Sequence, residues 1–168
     1  MKRVAIIAAV LAAAGASIAV LAGGVGAQQP GGRTFTVLEH NKGSTFNFVD
    51  NPPKSRTPRN REPRVSIGDL VAFSQPFTRQ DNGKPGELEV TCTATRASRR
   101  FELAQFICHG AARLDDGTIS LETPLKFGNS RHVDVAITGG TGAYDGARGT
   151  MVHDESTKPN KNTFELLP

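Results

Sequence analysis

Between Arg33 and Leu167 the chain returns repeatedly to a period of two, and no stretch there carries the roughly 3.6-residue period of an amphipathic helix. RTFTVLE (Arg33–Glu39) alternates. STFNFV (Ser44–Val49) reads as another strand or its continuation, with Phe46 and Phe48 on one face. Asp69–Phe73, Glu87–Thr95, Phe101–Gly110, Thr118–Leu125, a segment from Val133, Thr150–His153 and Asn162–Leu167 follow. Asn41-Lys42-Gly43, Asn82-Gly83 and Asp115-Asp116-Gly117 are the turns between them. Ser74-Gln75-Pro76 marks the end of a strand or an edge. About eight short strands with regular turns make a sandwich or a closed barrel, and closure removes exposed strand edges. Periodicity alone does not choose between the two.

The stretch from Val133 to Thr150, VDVAITGGTGAYDGARGT, begins as a strand and breaks into Gly139, Gly140, Gly142, Gly146 and Gly149. A glycine-rich turn after a strand invites a nucleotide-binding reading, which fails here. The dinucleotide fingerprint needs a helix whose N-terminus holds the pyrophosphate, and no helical pattern follows. The phosphate-binding loop needs Lys-Ser or Lys-Thr after its last glycine, and neither is present. What remains is an irregular turn in which Tyr144, the only tyrosine, closes over the backbone.

The N-terminus reads as a secretion signal. Lys2 and Arg3 precede the apolar run Val4–Leu21, and Val25-Gly26-Ala27 offers small residues for cleavage before Gln28. Residues 28–168 then form one domain, and the only membrane contact is an uncleaved signal segment. Cleavage removes two positive charges and takes the net charge from +4 to +2, too small a balance to indicate nucleic-acid binding. Cys92 and Cys108 are the only cysteines. If the hairpin joining Glu87–Thr95 to Phe101–Gly110 turns near residue 100, they sit directly opposite each other and bridge, with Cα atoms within roughly 7 Å. Residues 51–65, NPPKSRTPRNREPRV, hold four prolines and five basic side chains, and read either as a lid that recruits an acidic ligand or as a solvated loop.

The segment Ile137-Thr138-Gly139-Gly140-Thr141-Gly142-Ala143-Tyr144-Asp145-Gly146-Ala147-Arg148-Gly149 resembles the signature of the allene oxide cyclase and dirigent-like barrel superfamily, its bacterial secreted members above all. In order along the chain, Phe46-Asn47-Phe48-Val49-Asp50, Gly68-Asp69 with Phe73 and Pro76, Gly83-Lys84, Thr91-Cys92-Thr93, and Phe101–Gly110 with Asp116-Gly117-Thr118-Ile119 are similar to successive strands and turns of these barrels. The resemblance implies an all-β fold, an eight-stranded antiparallel barrel with a ligand cavity, and a homo-oligomer (dimer or trimer). It also implies an isomerase-like cyclisation or the stereoselective coupling of a small hydrophobic or phenolic ligand, without a cofactor. The shared logic is confinement: the barrel holds a reactive molecule in one conformer, so orientation supplies most of the selectivity.

Candidate chemistry is sparse. The four histidines show no metal-ligand spacing, and no serine sits in a nucleophile elbow. Asp50 and Asp69 flank the basic loop at strand ends and are the candidate general acids, with Arg148 as a third candidate or as their ion-pair partner. Phe46, Phe48, Phe73 and Phe106, with Phe35 and Phe164, are candidate lumen walls, and Tyr144 caps the barrel or presents its hydroxyl. The same phenylalanines would fill a solid core. Three readings therefore stand: a ligand-steering barrel, a carrier using the same cavity, and a filled barrel working through its surface. The state of the lumen separates them.

Overall fold

The computed structural model describes residues 32–51, 64–129 and 131–168. The expected signal segment and residues 52–63 of the basic loop lie outside the described residues. Nine strands form one antiparallel sheet: β1 (Arg33–Glu39), β2 (Thr45–Val49), β3 (Leu70–Arg79), β4 (Pro85–Arg96), β5 (Gln105–Leu114), β6 (Gly117–Leu125), β7 (His132–Gly142), β8 (Gly149–Asp154) and β9 (Lys161–Leu166). β2 pairs with the first half of β3, from Thr45↔Ser74 to Val49↔Leu70, and β1 with its last residues, from Val37↔Arg79 to Glu39↔Phe77. β1 also pairs along β9, so the sheet closes into an eight-position ring in which β1 and β2 share one place. The expected eight-stranded antiparallel barrel is what forms. Among the described residues no helix is long and apolar enough to cross a membrane.

β3 does not end at Pro76. It runs on to Arg79, and the proline sits where β2 has stopped and β1 has not begun. The Pro76 carbonyl accepts from the His40 N–H across that gap at 2.8 Å. Its ring nitrogen faces the same side, where no ladder bond is due, so the missing donor is harmless. The start of β5 also differs from expectation. Phe101–Leu103 is a 3-10 turn and the strand begins at Gln105. That turn carries the Phe101 ring over the barrel end, in contact with Phe46, Phe48, Phe106 and Phe127.

Strand alternation sorts the side chains. Phe35 and Val37, Val71 and Phe77, Leu88, Ala112, Ile119 and Leu121, Val135 and Ile137, Met151, and Phe164 and Leu166 all point inward and are buried. One cluster fills the end of the barrel nearest Tyr144. A second, around Cys92, Ala94, Phe106 and Cys108, lies beneath Phe101 and Phe127 on the β3–β5 side. Val90 packs against both. Cys92 pairs with Cys108 across β4 and β5, and the two form the expected disulfide with Cα atoms 3.9 Å apart.

Candidate functional site

Between the two clusters the lumen is open. A cavity of about 420 Å³ is walled by Phe73, Leu88, Leu121, Val135 and Met151, with Phe46 and Phe127 towards its mouth. That size suits a small organic ligand. Of the candidate wall residues, Phe46 and Phe73 border the cavity. Phe48 and Phe106 pack behind it in the second cluster, and Phe35 and Phe164 stack on one another at 4.8 Å in the filled end.

Besides Gln75 and Thr123, which also line the cavity, a connected group of polar side chains interrupts the apolar wall. Glu39, at the end of β1, keeps the inward parity of Phe35 and Val37 and is only 9% exposed. His153 on β8 follows Met151 inward, and Asn162 on β9 precedes Phe164. Asn162 Nδ2 donates to Glu39 Oε1 at 2.8 Å, and Asn160 Nδ2, from the β8–β9 loop, donates to Oε2 at 3.1 Å. Because the Asn162 amide nitrogen is committed to the carboxylate, its carbonyl faces His153 Nδ1, 2.7 Å away. Nδ1 therefore carries the hydrogen. His153 Nδ1 lies 3.5 Å from Glu39 Oε1, and Nε2 faces Glu155 Oε1 at 3.3 Å. The result is a carboxylate and an imidazole held on the cavity wall by two amides, able to take up or return a proton at Glu39 Oε or His153 Nε2. Among the described residues no group of three or more His, Cys, Asp or Glu is placed to hold a metal ion.

The aspartates proposed from sequence do other work. Asp69 is fully buried and accepts from Ser66 N–H at 2.7 Å, Ser66 Oγ at 2.8 Å and Asn51 N–H at 3.0 Å. It ties the two ends of the basic loop together and does not border the cavity. Asp50 is half-buried beside it and does not border the cavity either. Arg148 is exposed in the β7–β8 turn, where its carbonyl accepts from the Leu167 N–H.

Tyr144 closes the opposite end. It is fully buried, and its hydroxyl accepts from Arg33 Nη2 at 2.7 Å and Arg79 Nη1 at 3.0 Å. Arg79 in turn forks onto Asp81 through Nε and Nη2 and stacks over Phe35. Burial, with a further push from the Asp116 carboxylate, raises the Tyr144 hydroxyl from 10.0 to about 12 against the pull of the two arginines. A Cβ on Gly140 would sit 2.2 Å from the Tyr144 carbonyl oxygen, so the turn that places the ring admits only glycine there.

No protein-family model matches the sequence, and no curated protein matches it at a significant level. Solved structures do match. A pyocyanin demethylase is similar with a TM-score of 0.56 at 21% identity, over 80% of this chain and 98% of that one. A pterocarpan synthase dirigent protein is similar with a TM-score of 0.51 at 18% identity, over 80% and 86%. An exo-specific intermolecular Diels-Alderase is similar with a TM-score of 0.50 at 13% identity, over 82% and 98%. The chain therefore shares its barrel fold with these three proteins, and an antiparallel barrel is the fold that the resemblance read from its glycine-rich turn implied.

Proposed function

We propose that this is an exported barrel that binds a small aromatic, hydrophobic or phenolic molecule in its lumen and steers its cyclisation or stereoselective coupling. The observation that carries this reading is the open, largely apolar cavity with the Glu39–His153 pair fixed on its wall. The apolar rings hold the ligand in one conformer, and the Glu39–His153 pair takes the proton that a ring closure or a bond-forming rearomatisation releases. Neighbours in fold that include dirigent proteins and a Diels-Alderase are consistent with it. The signal-like N-terminus and the disulfide support export. The superfamily resemblance supports a homo-oligomer of two or three copies. A carrier would use the same cavity without changing any product. The test is product chirality. A panel of propenyl phenols is oxidised by a one-electron oxidant, with and without the protein, and the dimers are resolved by chiral chromatography. An enantiomeric excess that disappears in Glu39→Gln is expected. Racemic products from every phenol, together with tight binding of the same phenols, would leave a carrier.

A further inference from the structure

Exposed apolar side chains and unpaired cations collect at one end of the barrel. Four loops make that end, those joining β2 to β3, β4 to β5, β6 to β7 and β8 to β9. They are linked in series. Val65 and Ser98 exchange backbone hydrogen bonds at 2.9 and 3.0 Å, Phe101 packs on Phe127 at 4.8 Å, and the Glu155 N–H donates to the Arg131 carbonyl at 2.9 Å. Among the described residues, the exposed large apolar side chains are Phe46, Val49, Ile67, Leu103 and Leu167. All but Leu167 belong to this end, each 48% exposed or more. Apolar exposure gathered in one place marks an interaction surface.

The charges there are arranged for a partner too. Arg64, Arg96, Arg99, Lys126 and Arg131 are exposed and make no ion pair among the described residues. On the same three loops Asp69 is buried, Asp50 is half-buried and Glu102 pairs with Arg100. The fourth loop holds Glu155 and Lys158. At the opposite end the cations are held by carboxylates: Arg33 by Asp116, Arg79 by Asp81, Lys84 by Asp115 and Arg113 by Glu87. Arg64 precedes Ile67 and Arg99 precedes Leu103, so cation and apolar side chain alternate along the same loops. A lipid interface meets both needs at once, because it takes apolar side chains between its headgroups and offers phosphates to the cations.

We infer that the open end of the barrel docks on an anionic lipid surface, with Ile67 and Leu103 entering the headgroup region and the arginines on its phosphates. This contact is separate from the N-terminal apolar run. An apolar ligand dissolved in the bilayer then reaches the cavity without crossing water, a consequence that rests on the ligand-steering reading above.

The test is flotation of residues 28–168, which lack the N-terminal apolar run, with vesicles of phosphatidylcholine alone and of equal parts phosphatidylcholine and phosphatidylglycerol. Binding is expected to the anionic vesicles only, and weaker as salt is raised. Arg99→Glu should lower the partition coefficient about tenfold. Arg148→Glu, the same change of charge on an exposed arginine at the opposite end, should lower it by less than about twofold, being beyond a Debye length from the surface. Leu103→Ser with Ile67→Ser should lower it about tenfold. Circular dichroism checks that each variant keeps the barrel. No binding to either vesicle, equal binding to both, or a loss in Arg99→Glu no larger than in Arg148→Glu overturns the inference. So does a loss in Arg99→Glu that the double serine variant does not share, since the end would then be a surface for any polyanion. The assay uses no cavity ligand, so each of these outcomes leaves the ligand-steering reading where it stands.

Discussion

At the scale of single residues, the site rests on which side chains share a parity. Glu39 stands two places after Val37 on the inward face of β1, His153 two places after Met151, and Asn162 two places before Phe164. That signal was present in the sequence. Each residue lies at or near a strand end, however, where a polar side chain reads as the first solvated position. Asp50 and Asp69 were chosen for the same kind of place, and Asp69 caps a loop because two backbone N–H groups and a serine hydroxyl surround it. Asn162→Ala removes two hydrogen bonds, one to the Glu39 carboxylate and one to the His153 imidazole, in a largely buried place. It should lower unfolding free energy by about 1–3 kcal/mol in urea titration. Tyr144 supplies a cleaner reading because it is the only tyrosine and the chain has no tryptophan. Tyrosinate absorbance in the native protein should rise near pH 12 instead of 10. The sign of the linked stability follows. The unfolded chain releases this proton near pH 10 and the native one near 12, so the contribution is whole below pH 10 and is lost as pH rises towards 12. A native titration midpoint near 10 would contradict the buried plug.

At the scale of elements, alternation located every strand, and the errors fell at boundaries. Pro76 reads from the sequence as a strand end or an edge because a proline breaks a ladder. Only the split of β1 and β2 along one edge of β3, a tertiary fact, makes it harmless. Phe101 looked like the first residue of β5 because it is aromatic and follows a turn, but packing among four other rings takes it out of the sheet. The Cys92–Cys108 pairing was legible because hairpin register is arithmetic once the turn is placed. Reducing that bridge should destabilise the barrel by about 3 kcal/mol, the loop-entropy figure for a bridge of this span, read from urea midpoints with and without reductant. Gly149 tests the turn that opens β8. Its φ is +144° and an added Cβ would meet the Glu165 carbonyl oxygen at 1.9 Å. Gly149→Ala should lose roughly 2 kcal/mol or more, whereas Gly83→Ala, in open space at φ +70°, should lose only about 1 kcal/mol.

At the scale of the whole molecule, the barrel is filled at one end and open at the other. Tyr144, two arginines and the stacked pair Phe35–Phe164 close the first. Glu39, His153 and a ring of aromatic residues surround the second. Composition could not tell these apart, because the same phenylalanines serve as plug and as wall. The most direct measurement is binding of an uncharged solvatochromic naphthalene dye to residues 28–168 and to Val135→Trp, in which a large side chain replaces a small one on the cavity wall. The result expected is one blue-shifted site per wild-type chain, lost in Val135→Trp while circular dichroism keeps the barrel signature and stability falls by no more than about 3 kcal/mol. No binding to the wild type, or equal binding to the filled variant, would contradict a ligand-holding lumen.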